Sequence, residues 1–158
     1  MPALPDQPDS SIQQTLDVIG DRWTMLILRD VFRGVRRFTT IQNDLGIARN
    51  LLADRLARLV ENEVLERVPY QERPVRHEYH LTDKGVDLSS ALVALMQWGD
   101  RWCADGSPPT LLVHDSCDTP VHEEVRCPTC ATQVEPRHIR SRPGPGTAEH
   151  AIGNHAAV

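Results

Sequence analysis

Apolar residues recur along this chain at two spacings, and the switch between them outlines a fold. Ile12, Leu16, Ile19 and Trp23 follow at helical intervals, which predicts one buried face. Ser11 and Gln14 sit where a capping box would open that helix, with Ser11 as the N-cap. Gly20 and Asp21 break and recap it. The next piece, "RWTMLILRDVF", is apolar nearly all round, so it is expected as the central core helix, ended by Gly34. "VRRF" is a short extended piece. "TTIQNDL" predicts a short helix capped by Thr39 and closed by Gly46. Only "IA" separates it from "RNLLADRLARLVENE", where Leu52, Leu56, Leu59 and Val60 form the stripe of a core-facing helix. Two helices joined by a short glycine-containing turn are a helix-turn-helix.

After this the period falls to two. "VLERVPY" and "VRHEYHL" are β-rich runs separated by "QERP", which predicts a hairpin with proline at its tip. Thr82 then caps a long helix running to about Cys103, with Leu88, Leu92, Leu95 and Trp102 along one side. Helix-turn-helix, hairpin, closing helix is the order of a winged-helix domain. The fold class expected is mainly α (α+β): a winged helix-turn-helix with a β-hairpin wing, a long closing helix and a small C-terminal β-ribbon. Residues 1–9 and 143–158 are expected as disordered tails, 10–104 as the winged-helix domain and 107–142 as the ribbon, with "SPP" at the joint.

Composition changes this picture little. The chain has 158 residues, 40% of them apolar, enough for a modest core without disulfides. No apolar run is long enough to span a membrane, and "MPALPDQPDSS" carries no basic-then-apolar signal, so a cytoplasmic protein is expected. Charge matters more by its distribution. The whole chain is at −5, yet Gly20 to Arg58 holds eight arginines against four aspartates, a net +4. A basic region inside an acidic chain can bind phosphate.

That region supplies the candidate contacts to double-stranded DNA. Arg49, Asn50, Ala53 and Asp54 lie opposite the apolar stripe of the second helix, with Arg58 near the edge of that face. Arginine pairs with guanine and asparagine with adenine in the major groove, and Asp54 could accept from cytosine or serve as a salt-bridge partner. Thr39 and Thr40 are placed to bond a phosphate at a helix start. Arg37 and Arg55 are phosphate candidates, Arg55 alternatively an internal partner of an acid such as Asp30. On the wing, Arg73, Arg76 and His77 could reach phosphates or the minor groove.

"LDVIGDRWTMLILRDVFRGVRRFTTI", "LLADRLARLVENEVLERV" and "HEYHLTDKG" together resemble the HxlR family of bacterial transcriptional regulators, over about Ser11 to Trp102. "IGDRWTMLILR" and "EYHLTDKG" are the most specific parts. The resemblance implies a homodimer built from the N-terminal helix and the helix after the wing, and a roughly two-fold operator. Three departures stand out. Many members open the first helix with cysteine and proline, some sensing oxidants there; Ser10 and Ser11 occupy those places, which rules out that thiol. Ala48 and Arg49 replace a frequent Ser-Pro. Glu63 replaces the usual glycine before the first wing strand, and Asn62 is expected to take the left-handed turn instead.

The tail carries a separate candidate. His114-x-x-Cys117 and Cys127-x-x-Cys130 are two knuckle-like pairs, a ligand set suited to tetrahedral structural zinc, with His122 and His138 as rival ligands. Without metal the alternatives are a plain β-ribbon or a redox pair of Cys127 and Cys130. Longer members of the resembled family carry a similar tail ending in "RPGPG", as at Arg142 to Gly146.

The function expected is a sequence-specific, homodimeric DNA-binding regulator, a repressor by preference, needing no cofactor to bind DNA. The alternative is a metal- or thiol-responsive sensor controlled through the tail. No nucleophile–base pair, glycine-rich phosphate loop or paired-carboxylate spacing stands out, so no enzyme is expected. An unknown small-molecule effector would bind between the dimer helices and the DNA-binding core, near Trp23, Trp98 or Trp102.

Overall fold

The computed structural model describes residues 10–142 apart from residue 106. They fall into two compact units, Ser10–Glu123 and the described part of Glu124–Val158. The two expected disordered tails lie outside the described residues.

The first unit opens with α1 (Ser11–Ile19) and α2 (Arg22–Phe32). α1 is capped by Ser10, whose Oγ accepts the Gln13 N–H at 3.1 Å. The N-cap therefore sits one residue earlier than expected, because Ser11 is already helical. α2 starts as expected: the Asp21 carboxylate accepts the N–H groups of Trp23 and Thr24, each at 3.1 Å. Its end is a left-handed Gly34 (φ 85°), with Gly34 N–H on the Val31 carbonyl and Val35 N–H on that of Asp30. Only a residue without Cβ adopts that φ cheaply.

α3 (Phe38–Leu45) and α4 (Arg49–Glu61) are the two arms of the helix-turn-helix. α3 is not capped by Thr39. Its N-cap is Arg37, whose extended backbone bridges Glu78, so the helix begins at the next residue. Gly46 (φ 60°) ends α3, buried Ile47 plugs the turn, and Ala48 leaves the α4 start without a side-chain cap. Ile27, Leu28, Ile41, Leu52, Leu56 and Leu59 pack as the core, all essentially out of solvent.

α4 closes on Glu63, not Asn62, in the left-handed region (φ 57°; Asn62 has φ −86°). Glu63 N–H bonds the Val60 carbonyl and Val64 N–H that of Leu59, the two bonds that define this helix end. The geometry dictates which residue turns, and it falls one place after the helix stops.

β1 (Leu65–Glu72) and β2 (Val75–Leu81) are antiparallel, paired from Leu65–Leu81 to Glu72–Val75 with a bulge between Pro69 and Gln71. β1 runs further than expected, so the tip is Arg73–Pro74 alone. "VRRF" lies beside β2: Tyr79 N–H donates to the Arg36 carbonyl at 2.8 Å.

The closing helix comes in two pieces, α5 (Asp83–Val86) and α6 (Ser89–Trp102). Leu88 N–H bonds the Gly85 carbonyl three residues back, which tightens and breaks the ladder. Thr82 does cap, as expected, accepting the Gly85 N–H at 3.1 Å while donating to the Glu63 carbonyl at 2.5 Å. A Cβ on Gly85 would lie 2.2 Å from the Val64 carbonyl oxygen. "LTDKG" is thus a clasp joining the end of the wing to the end of α4. Lys84 completes it, with Nζ on the Asn62 carbonyl at 2.8 Å.

α1 and α6 depart most from expectation. Ile12 and Leu16 do not form a buried face, being 73% and 56% exposed. On α6, Leu95, Trp98 and Trp102 are exposed and no residue is buried. After α6 the chain folds back at residues 109–123. Gln97 clamps this segment, donating to the Val121 carbonyl and accepting the Glu123 N–H, both at 3.1 Å. Among the described residues no helix is long and apolar enough to cross a membrane.

Candidate nucleic-acid interface

α4 buries Leu52, Leu56 and Leu59, and its opposite side carries Arg49, Asn50, Ala53 and Asp54, all exposed. Arg49 makes no ion pair among the described residues. Its guanidinium lies 5.2 Å from the centroid of the Phe38 ring, which preorients it. Asn50 has no side-chain hydrogen bond among the described residues. Arg49 and Asn50 are therefore placed with their bonding groups open to solvent.

Asp54, Arg55 and Arg58 of α4 are committed elsewhere. Arg55 donates Nε to Asp21 at 3.0 Å and its Nη1 to Asp54. Its partner is thus not Asp30, which is buried against Arg29. Burial by itself would raise the Asp21 carboxyl; hydrogen bonds from Thr24 and Arg55, with the Arg55 charge, outweigh it and hold the pKa below its usual value. Arg58 reaches back to the Asp17 carbonyl. These contacts lock α4 to α1 and to the start of α2.

Thr39 and Thr40 are exposed in the first turn of α3, where backbone N–H groups have no side-chain cap. Arg37, beside them, is tied to the wing. Its Nε donates to Glu78 Oε1 at 2.9 Å and its guanidinium lies 4.4 Å from the Tyr70 ring centroid. The hydrogen bond from Arg37 is the main cause that holds the Glu78 carboxyl below its usual pKa, and one with His80 adds to it. Sequence reasoning missed Tyr70 and Glu78; an aromatic and an acid on the wing, facing a basic strand, were the available signal.

On the wing, Arg73 and Arg76 are exposed near the tip. His77 is half-buried, and its Nδ1 lies 3.1 Å from Arg67, another wing arginine that sequence reasoning passed over. The candidates on α4, at the start of α3 and on the wing all lie in the first unit.

The tail residues divide between the units. His114 and Cys117 stand together, Nδ1 to Sγ 3.3 Å, in a turn closed by His114 N–H on the Thr119 carbonyl and by left-handed Asp118. Cys127 and Cys130 repeat that turn in the second unit, with Cys127 N–H on the Thr132 carbonyl and left-handed Ala131. Each turn alone brings together two of the four expected ligands, and among the described residues no three His, Cys, Asp or Glu gather to hold a metal. Thr132 Oγ1, 2.9 Å from Cys130 Sγ, is the main cause that lowers the Cys130 thiol to about 7, with Cys127 contributing. Thr119 lowers Cys117 in the same sense.

Known proteins resemble this chain over most of its length. The HxlR-like helix-turn-helix family model matches residues 18–107. An uncharacterized HTH-type transcriptional regulator of Mycobacterium tuberculosis is 44% identical over 137 residues, 86% of this chain and 87% of its own. The HTH-type transcriptional regulator YodB of Bacillus subtilis is 33% identical over 60% of this chain and 86% of its own. Among solved structures, the candidate transcription factor PA1607 superposes with a TM-score of 0.77 at 39% identity, over 87% of this chain and 97% of its own. The redox regulator HypR in its reduced form superposes at 0.55 and 26% identity, over 61% of this chain and 99% of its own.

Proposed function

The chain belongs to the HxlR-like helix-turn-helix family, and from that premise we propose that it binds an operator as a homodimer and represses transcription there. It is a DNA-binding transcriptional regulator of this type, not an enzyme. The observation that carries the finer reading is the open face of α4. Arg49 and Asn50, the two side chains best suited to guanine and adenine, are the polar groups of that face left without ion-pair or hydrogen-bond partners among the described residues.

In this reading α4 enters the major groove. Arg49 and Asn50 contact base edges, and Ala53 packs against a thymine methyl. Thr39, Thr40 and the uncapped N–H groups of α3 take a phosphate. Arg73 and Arg76 meet the flanking backbone or minor groove, and the Arg37–Glu78 tie keeps the wing at a constant angle to α4. Arg55, Asp54 and Arg58 hold α4 in place. The exposed apolar residues of α1 and α6 are the dimer surface, and a two-fold dimer would put paired α4 helices one turn of DNA apart. A DNA partner would put the protein in the cytoplasm.

Selection of bound duplexes from a random library tests this directly. The expected product is an inverted repeat with half-sites centred about 10 base pairs apart. Selected sites without two-fold symmetry would overturn the dimeric reading.

A second reading is favoured by the Cys130 thiol at about 7, next to Cys127: DNA binding would respond to oxidation of, or metal binding by, the tail cysteines. Diamide or a chelator should then change affinity for the selected duplex. Unchanged affinity under both would remove it.

A further inference from the structure

α2 and α6 do not close on one another along their full length. Between them, under the returning tail segment, lies a cavity of about 570 Å³. Small-molecule sites are clefts or cavities of about 300–1,000 Å³, and this one, open to solvent on one side, falls in that range. Met25 and Phe32 of α2, Leu92 and Met96 of α6, and Pro109 and Leu112 of the tail form its apolar walls. The tail wall is held by the Gln97 clamp and by Val121 N–H on the Leu112 carbonyl at 2.9 Å. Trp23, Trp98 and Trp102, the expected effector neighbours, do not line it.

Three charged residues reach the cavity. Arg29 donates Nε and Nη2 to buried Asp30, which largely neutralises it. Arg33, on the same side, makes no ion pair among the described residues. Asp100 lies on the α6 wall. An anion is thus repelled from α6 and drawn to α2. Two thioethers and a phenyl ring make a deformable lining suited to a flat aromatic body.

We propose that this cavity binds a small aromatic molecule carrying one carboxylate or similar anion. Its ring lies against Met25, Phe32 and Met96 and its anion meets Arg33. α2 carries the DNA-binding core and α6 part of the proposed dimer surface, so occupancy sets the distance between the two and with it the spacing of paired α4 helices. That last consequence rests on the regulator reading; binding itself does not.

The test titrates the full chain with 8-anilinonaphthalene-1-sulfonate, then displaces the dye with 2-naphthoate or neutral 2-naphthamide. Saturable binding at one site per chain is expected, with naphthoate displacing at least ten-fold more effectively than the amide. Arg33→Gln, a surface change, should abolish that preference, and Met96→Trp should fill the space and abolish binding with an unchanged melting profile. No saturable binding, as when a second copy fills the cavity, overturns the proposal. So does binding that survives Met96→Trp, or is lost instead in Leu16→Glu on α1. A parallel measurement with the selected duplex separates the two claims. Dye binding without DNA binding fails the regulator reading alone, and DNA binding without dye binding fails the cavity alone. Naphthoate that binds but leaves duplex affinity unchanged overturns its regulatory role.

Discussion

Glu63 sits at φ 57° because the bonds that end α4 demand a left-handed residue there. A side chain in that conformation costs about 1 kcal/mol, which glycine avoids at some entropic cost in the unfolded chain. Glu63→Gly should therefore raise Tm by about 2–4 °C in a thermal melt, and a fall would show that the Glu63 side chain contributes more than its strain. Asp21 is the opposite case, a residue whose charge helps the fold. Its folded pKa is depressed, so its contribution is present above the ordinary value near 3.8 and is lost as pH falls through the folded pKa. Asp21→Ala should cost about 1–2 kcal/mol at neutral pH by loss of the cap. It should also flatten the decline in stability below about pH 4, as denaturant titrations across pH would measure. Asp21 as a cap was legible from its place before an apolar run. Its pairing with Arg55 was not, because a partner 34 residues away leaves no local pattern.

Between residue and molecule, the element on which the proposed operator reading turns is α4. Its apolar stripe and its position after Gly46 were plain in the sequence. The division of labour among its polar residues was not, since Arg49, Arg55 and Arg58 look alike until their neighbours are known. Arg49→Ala should leave the folding free energy within about 0.5 kcal/mol of wild type, as for other surface changes, and relax discrimination at one base position by about 1–3 kcal/mol. Arg55→Ala should do the reverse. It lowers stability by leaving half-buried Asp21 unpaired and weakens binding to all duplexes alike. Melting curves and competition with single-base variants separate the two, and a specificity change from Arg55→Ala would reassign it to the DNA. The need for glycine at position 85 was hidden for a similar reason. Gly85 is required by a close approach to Val64, which is a tertiary contact.

For the whole molecule, amphipathic spacing announced a face on α1 but not what covers it. Ile12, Leu16, Leu95, Trp98 and Trp102 are exposed in the single chain, large apolar side chains that the proposed dimer would cover. Trp98→Glu should give a folded monomer by light scattering, with a loss of operator affinity far beyond that of any α4 substitution. A dimer that persists would move the interface elsewhere. The most direct check on DNA recognition is fluorescence anisotropy with the selected duplex and a scrambled one, between about 50 and 200 mM salt. The open α4 face and the arginine-bearing wing predict a specificity ratio of about 1,000 or more and a steep salt slope that Arg73→Ala reduces by about one. No binding to any duplex at the lowest salt would contradict DNA recognition and leave the helix-turn-helix and wing as scaffold.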